Sequence, residues 1–459
     1  MSPSLALLVW FVLLVALLRF DGKLQPTASP TLWLPTIWIF IAASRLPSQW
    51  LEGGVGYGAD TLDEGNALDR VVYLMMIFVA VVVLARRSFE WGRFFASNRL
   101  LTLFLVYCVV SIAWSEFPFV AFKRWFRDLG VYLALLVALS DPRTTDGATI
   151  VLRRVMILAI PLSIVFNKYF EHLSRQFDQW TGQGYFMGVT TSKNMLGVLC
   201  LVGALYFFWD TLSRWHARED PRVKSIIRID IALFAMCVLL LADANSATST
   251  LCLSIGCLVV AVAHLDVVRK RPRLLTVPIP ILMATYGLLQ FVFDVNLVAI
   301  VAEAVGRSPD LTGRTDIWNA VLSTNTNPIV GTGYESFWLG PRRDYVWQLA
   351  GNVNHSHNGY LETYLNLGFV GLGLILSFLF ASYAAICRAF RESPREQSLA
   401  LALWTILIYY NVTEAALRGQ FLWLIFVLFA LVVPRREAHA AAAAGRRTSP
   451  IARQADAAG

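Results

Sequence analysis

Charge is scarce in this chain. Of its 459 residues only 15% are Asp, Glu, Lys or Arg, against about 25% in a typical soluble domain, which excludes a cytosolic globular enzyme. Cysteine is equally sparse. The six present (Cys108, Cys200, Cys237, Cys252, Cys257 and Cys387) all lie within or at the ends of apolar runs, so no disulfide-stapled secreted domain is encoded, and no Cys/His spacing suggests a metal site. The opening run MSPSLALLVWFVLLVALL has no basic stretch before it and no small-residue cleavage site after it. It reads as a membrane span, not a signal peptide. There is no internal repeat and no strand-like alternation of the kind membrane barrels carry. What the chain has in abundance is apolar residues, 57% of the total, and disorder is thereby excluded as well.

A bilayer core of about 30 Å takes about 20 mainly apolar residues per helix. Runs of this kind fall near 4–18, 32–44, 71–85, 100–114, 121–139, 150–166, 194–209, 229–242, 249–265, 274–293, 361–387, 398–411 and 419–433. The expected fold is therefore an all-α polytopic membrane protein with about 12 (12–13) transmembrane helices, since lipid-exposed backbone must satisfy its own hydrogen bonds. Alternating connections hold 26 Lys+Arg against 13 Asp+Glu, and the opposite set 13 against 18. The basic set, with the C-terminus, is expected on the cytoplasmic side. The organisation expected is N-terminal membrane helices over 1–293, a large outer loop over 294–360, C-terminal membrane helices over 361–433, and a flexible basic tail over 434–459 that lies near anionic headgroups.

Chemistry is expected where polar residues break the apolar pattern. The outer loop is far longer than the other connections and mixes aromatics, glycines and arginines, as a folded functional loop does; within it, 296–305 has the spacing of an interfacial helix. It carries His355 and His357 in HSHN, and Arg307, Arg314, Arg342 and Arg343. Ordinary salt bridges to Asp310, Asp316 and Asp344 are the plain alternative for these arginines. Lys123, Arg124 and Arg127 stand at the outer end of the fifth run, where charge is costly and either faces a cavity or snorkels. Guanidinium groups suit phosphate because their fork pairs with its oxygens bidentately. Lys193 and Asn194 open a span in GVTTSKNMLG, a helix N-terminus suited to anions or simply an ordinary cap. Glu414, in NVTEAALRG, either orients a cation or the acceptor, or pairs with its i+4 neighbour Arg418.

These residues carry a resemblance. His357-Asn358, nine residues, Gly368, two residues and Gly371 resemble the sharpest motif of the O-antigen ligase and O-antigen/exopolysaccharide polymerase superfamily of bacterial membrane glycosyltransferases. Gly313-Arg314 with Trp318, Pro328-Ile-Val-Gly331-Thr-Gly333 and Lys193-Asn194-Met-Leu-Gly197 are similar to further motifs of that family. Ser192 stands where many relatives have His. Asn245-Ser246-Ala247-Thr248 stands where many have Ser-Arg, so a two-arginine phosphate clamp requires Arg124, Arg127 or Lys193 instead.

The resemblance implies transfer of a glycan from an undecaprenyl-diphosphate donor at the periplasmic face of the bacterial inner membrane, with inversion and without metal or cofactor. Ligases of the family use lipid A–core as acceptor; polymerases use the sugar end of another lipid-linked repeat. A polysaccharide copolymerase or export protein is a partner in such systems, and no nucleic acid is involved. The implied site has His357 as general base and Arg314 as leaving-group cation. Arg124, Arg127, Lys193, Asn194, His355, Asn358 and Glu414 would bind substrate. The competing classes are a lipid-linked oligosaccharide flippase or transporter, which needs no histidine-bearing loop but generally has midplane sites in repeated halves, and a non-catalytic export subunit. A cysteine placed at Ser336 would report which side the loop occupies.

Overall fold

The computed structural model describes residues 1–52, 65–87, 89–144, 146–177, 182, 184–291 and 314–431. The expected interfacial helix over 296–305, Arg307, Gly313 and the tail over 434–459 lie outside them.

The chain is helical almost throughout. The main helices are α1 Pro3–Leu24, α2 Trp33–Ala43, α3 Ala67–Arg86, α4 Arg99–Val110, α5 Pro118–Leu139, α6 Gly147–Tyr169, α7 Lys193–Arg214 and α8 Pro221–Ala244. They continue with α9 Ala247–Ala263, α10 Pro278–Phe291, α11 Arg314–Leu322, α12 Gly340–Ala350, α13 Gly359–Glu392, α14 Pro394–Thr413 and α15 Phe421–Ala430. Two short antiparallel strands, β1 Arg175–Phe177 and β2 Gly184–Phe186, pair with Arg175 opposite Phe186.

Among the described residues α1, α3, α6, α7, α8 and α13 are long and apolar enough to cross a membrane, and a pair of helices bent by 97° near Asn98 would add a seventh. The expected twelve to thirteen spans also counted shorter apolar helices such as α9 and α15, and α5, whose first turns carry Lys123, Arg124, Arg127 and Asp128. The protein is a multi-pass helical membrane protein. Its core lies along α6, α7, α14 and α15, which bury most of their residues. Leu5, Leu8 and Phe11 on α1, and Phe78 on α3, stand exposed, as lipid-facing side chains do.

Buried charge joins the helices at one end of the bundle. Arg153 on α6 lies 3.4 Å from Asp21 of α1, 3.1 Å from Asp210 of α7 and 2.7 Å from Asp230 of α8. A charge withdrawn from water is tolerable only when paired in this way. At the other end, Gly197 lets α7 approach α9: a Cβ there would meet Ser246 Cβ and Ser249 Oγ at 2.7 Å. Ser192 caps α7 by accepting from the Met195 amide, which explains a hydroxyl residue before Lys193.

Candidate functional site

The nine-residue spacing between Asn358 and Gly368 has a structural meaning. Asn358 caps α13, its Oδ1 accepting from the Tyr360 and Leu361 amides. Gly368 interrupts the helix with φ +63°, in the left-handed region open to glycine. The segment 328–333 docks at that interruption. The Phe369 and Val370 amides donate to Pro328 O and Ile329 O, and the Thr332 and Gly333 amides donate to Leu365 O and Asn366 O. A Cβ on Gly368 would lie 2.1 Å from Ile329 O, so no larger residue fits. The loop's glycine motif and the break in α13 thus form one backbone-bonded unit that fixes the loop against the membrane helices.

On this frame the candidate side chains converge on Glu414, between α14 and α15. Arg314 Nη2 lies 2.7 Å from Glu414 Oε1, and Asn194 Nδ2 donates to the same oxygen at 3.0 Å. His357 Nδ1 is 3.3 Å from Oε2. The Gly359 amide donates to the Glu414 carbonyl at 3.1 Å. Burial would raise the Glu414 carboxyl, but the His357 hydrogen bond and the Arg314 charge outweigh it and hold it below the usual range. It is ionised at neutral pH, and an ionised carboxylate only accepts. His357 Nδ1 therefore carries a hydrogen, and in the neutral ring the lone pair is then on Nε2.

His355 packs beside His357, ring centroids 4.0 Å apart and planes tilted by 56°, and its Nδ1 accepts from the His357 amide at 3.3 Å. Burial, with the neighbouring imidazole second, pushes its pKa down to about 3. It is a neutral ring that braces His357. Trp318 Nε1 donates to Ser356 O, and the Ser356 amide donates to Glu362 Oε2, so the HSH turn is held on both sides. His357 itself has φ +51°, a conformation that costs a non-glycine residue free energy and marks functional sites.

Not every candidate meets Glu414. Arg124 Nη1 donates to the Glu335 carbonyl at 2.5 Å, and Arg127 Nε lies 3.0 Å from Asp128 Oδ1. Lys193 Nζ stands 3.6 Å from the centroid of the Tyr185 ring. Asn358 is engaged by backbone at both ends of its amide, its Nδ2 donating to Val412 O at 3.1 Å. Arg418, the expected alternative partner of Glu414, instead lies 2.9 Å from Glu335 Oε1 and 3.7 Å from Glu362 Oε1. The polar break at Asn245–Thr248 reaches the site through Thr248 Oγ1, 3.0 Å from Thr413 Oγ1.

Sequence reasoning passed over Glu335, Glu362 and the role of Arg418. Glu362 was discoverable as a carboxylate inside a span; the other two carry no local signal. Among the described residues no three His, Cys, Asp or Glu side chains gather as a metal site requires.

Residues 231–376 match the family described as O-antigen ligase. The chain is also 24% identical, over 358 residues, to the exopolysaccharide production protein ExoQ of Rhizobium meliloti (strain 1021), a stretch covering 74% of this chain and 79% of that protein.

Proposed function

Because this chain belongs to the O-antigen ligase and O-antigen/exopolysaccharide polymerase superfamily, we propose that it transfers a glycan from an undecaprenyl-diphosphate donor to an acceptor sugar. The observation that carries this reading is the His357–Glu414–Arg314 constellation, a histidine oriented by a carboxylate that also holds an arginine. The acceptor hydroxyl oxygen attacks the anomeric carbon while His357 Nε2 takes its proton. The bond from that carbon to the diphosphate breaks, and the diphosphate leaves with the electron pair. One displacement inverts the anomeric centre. Diphosphate is already a competent leaving group, so the protein's task is a positioned base and cations where charge grows. Kinship with an exopolysaccharide production protein over most of the chain favours exopolysaccharide assembly.

Replacing Arg314 with Lys keeps the charge but removes the fork that spans Glu414 and an incoming phosphate oxygen. Polymer formation by the reconstituted protein is expected to fall about 10–10²-fold with protein level unchanged; wild-type turnover would remove Arg314 from the chemistry.

We place the site on the periplasmic face of the inner membrane, on the strength of the charge asymmetry between the two sets of connections. Ser336 is buried at 1% exposure and would report poorly, so the label belongs at exposed Asn325. An Asn325→Cys protein in cells with a permeabilised outer membrane should be blocked by an impermeant thiol reagent. Labelling only after inner-membrane lysis would reverse the orientation.

A further inference from the structure

Arg45, two residues past the end of α2, is a buried cation that the candidate site leaves unused; it is 2% exposed. Among the described residues no carboxylate pairs with it. Its Nε donates to Thr190 O at 3.3 Å, and its Nη2 donates to Leu173 O and, at 3.4 Å, to Gly188 O. The Trp50 and Phe166 rings flank it, their centroids 5.7 and 5.6 Å from Cζ. The carboxylate that reaches this turn, Asp69 of α3, accepts instead from the Ser48 amide and hydroxyl, both at 2.8 Å. A guanidinium withdrawn from water is normally paired with an anion, because its desolvation is costly. Here carbonyls and ring faces take that place.

All three carbonyls belong to the connection between α6 and α7, and the last stretch of that connection is fastened residue by residue. The Met187 amide donates to Ser174 O at 2.7 Å, the Gly188 amide to Asn167 Oδ1 at 2.9 Å and the Val189 amide to Ser163 Oγ at 3.3 Å. Gly188 holds φ +53°, and a Cβ there would meet Ser163 at 2.7 Å, so the chain lies against α6 as closely as backbone allows. The Thr190 hydroxyl bonds Met187 O at 2.8 Å and Ser192 O at 2.9 Å, and Ser192 then caps α7. Arg45 joins the two limbs of the connection, Leu173 on one side and Gly188 and Thr190 on the other. Its fork suits that task, since its donors lie in one fixed plane. The fastened stretch leads directly into Asn194, whose Nδ2 is 3.0 Å from Glu414 Oε1.

We propose that Arg45 is a positioning residue for the candidate base. By tying 173 to 188–190 it sets where α7 begins, and so holds Asn194 against Glu414, the carboxylate that orients His357. This rests on the transferase reading above. The tolerance is narrow. A side-chain hydrogen bond of 3.0 Å no longer exists once its atoms part by a further ~0.6 Å, so a small shift at the start of α7 removes the Asn194 contact. A lysine at position 45 would keep the charge, but it is a point donor on a flexible stem and does not hold two limbs in one plane. Charge alone and positioning therefore predict different results for that substitution.

The test is a double-mutant cycle on the reconstituted full-length protein, with rates taken per folded molecule. Arg45→Lys and Asn194→Ala are each expected to lower kcat about tenfold with KM little changed, and the double variant to lose about tenfold as well, because both changes remove one contact. A loss of about a hundredfold in the double variant makes the two residues independent and overturns the proposal. Unchanged kcat in Arg45→Lys also overturns it, leaving Arg45 a charge or a structural pin. Should Arg45→Lys fail to fold, Asn167→Ala releases the Gly188 amide from a half-buried side chain and repeats the cycle through a second fastening. Its smaller loss should disappear in the Asn194→Ala background, and a loss that persists there undiminished overturns the proposal. Hydrogen exchange checks the placement without substrate: the peptide 187–196 should exchange faster in Arg45→Lys or Asn167→Ala than in wild type, and unchanged exchange overturns it. Wild-type protein that transfers glycan while the two losses add defeats this proposal alone. Protein whose exchange responds as expected but that transfers no glycan defeats the transferase reading alone.

Discussion

Purified His357→Ala protein is expected to insert, fold and bind the lipid-linked donor, and to transfer glycan about 10²–10⁴-fold more slowly than wild type. The residue sits in a polar turn ahead of the α13 cap, and the Ser356 and Asn358 contacts that hold that turn do not pass through its ring, so folding should survive its loss. His355→Ala should keep most of the rate. With its pKa pushed down to about 3 by burial and by His357, His355 is neutral from pH 5 to 8 and contributes no inflection there. A base must be unprotonated, so the rate should climb with pH in wild type and in His355→Ala, and the climb should vanish with His357. A rate that falls as pH rises would make His357 a cation that binds diphosphate, and unimpaired His357→Ala turnover would remove it from both roles. His355 also makes a stability prediction. Its folded pKa lies below the unfolded value of about 6.5, so between about pH 6.5 and 3 the unfolded chain binds more protons and stability falls as pH falls. His355→Ala should therefore resist acid better than wild type.

The second large effect is expected at Glu414. A Gln there is nearly isosteric and still accepts from Arg314 and Asn194, but its amide nitrogen can donate to His357 Nδ1. That would move the ring hydrogen to Nε2, the nitrogen that must accept the acceptor's proton. Loss of an orienting carboxylate costs a histidine base up to about 10⁴-fold, and a kcat loss of about 10²–10⁴-fold with little change in KM is expected. Glu414→Asp should recover part of it. The change also takes the anion from a buried pair with Arg314, side chains 13% and 7% exposed, and breaking such a pair costs about 3–5 kcal/mol. Thermal melting on the same preparation separates the two effects: a folded Glu414→Gln protein with normal turnover would leave Glu414 a purely structural role.

Membrane character and helical class could be read without a structure, and so could the stretch that carries most of the candidate site, because each depends on local composition. Apolar runs force helices in lipid, and a loop rich in His, Arg and Gly stands out between them. The pairing of His357 with Gly368 was visible as a spacing, since Asn358 caps and Gly368 breaks one helix within a single short stretch. Which charges meet was not visible. Glu414, between the last two apolar runs, had Arg418 as an i+4 neighbour with which it could pair, but α14 ends at Thr413, Glu414 is extended and Arg418 turns left-handed. Their side chains therefore part, one toward Arg314, 100 residues away in sequence, and the other toward Glu335, 83 residues away. Arg124 and Arg127 likewise looked like members of one cationic set with Arg314, and folding divided them between two clusters. Periodicity and composition act over a few turns of chain. Ion pairing in a low-dielectric interior is decided by which helix ends share one end of the bundle, and that emerges only when α5, α7, α13 and the α14–α15 connection pack together.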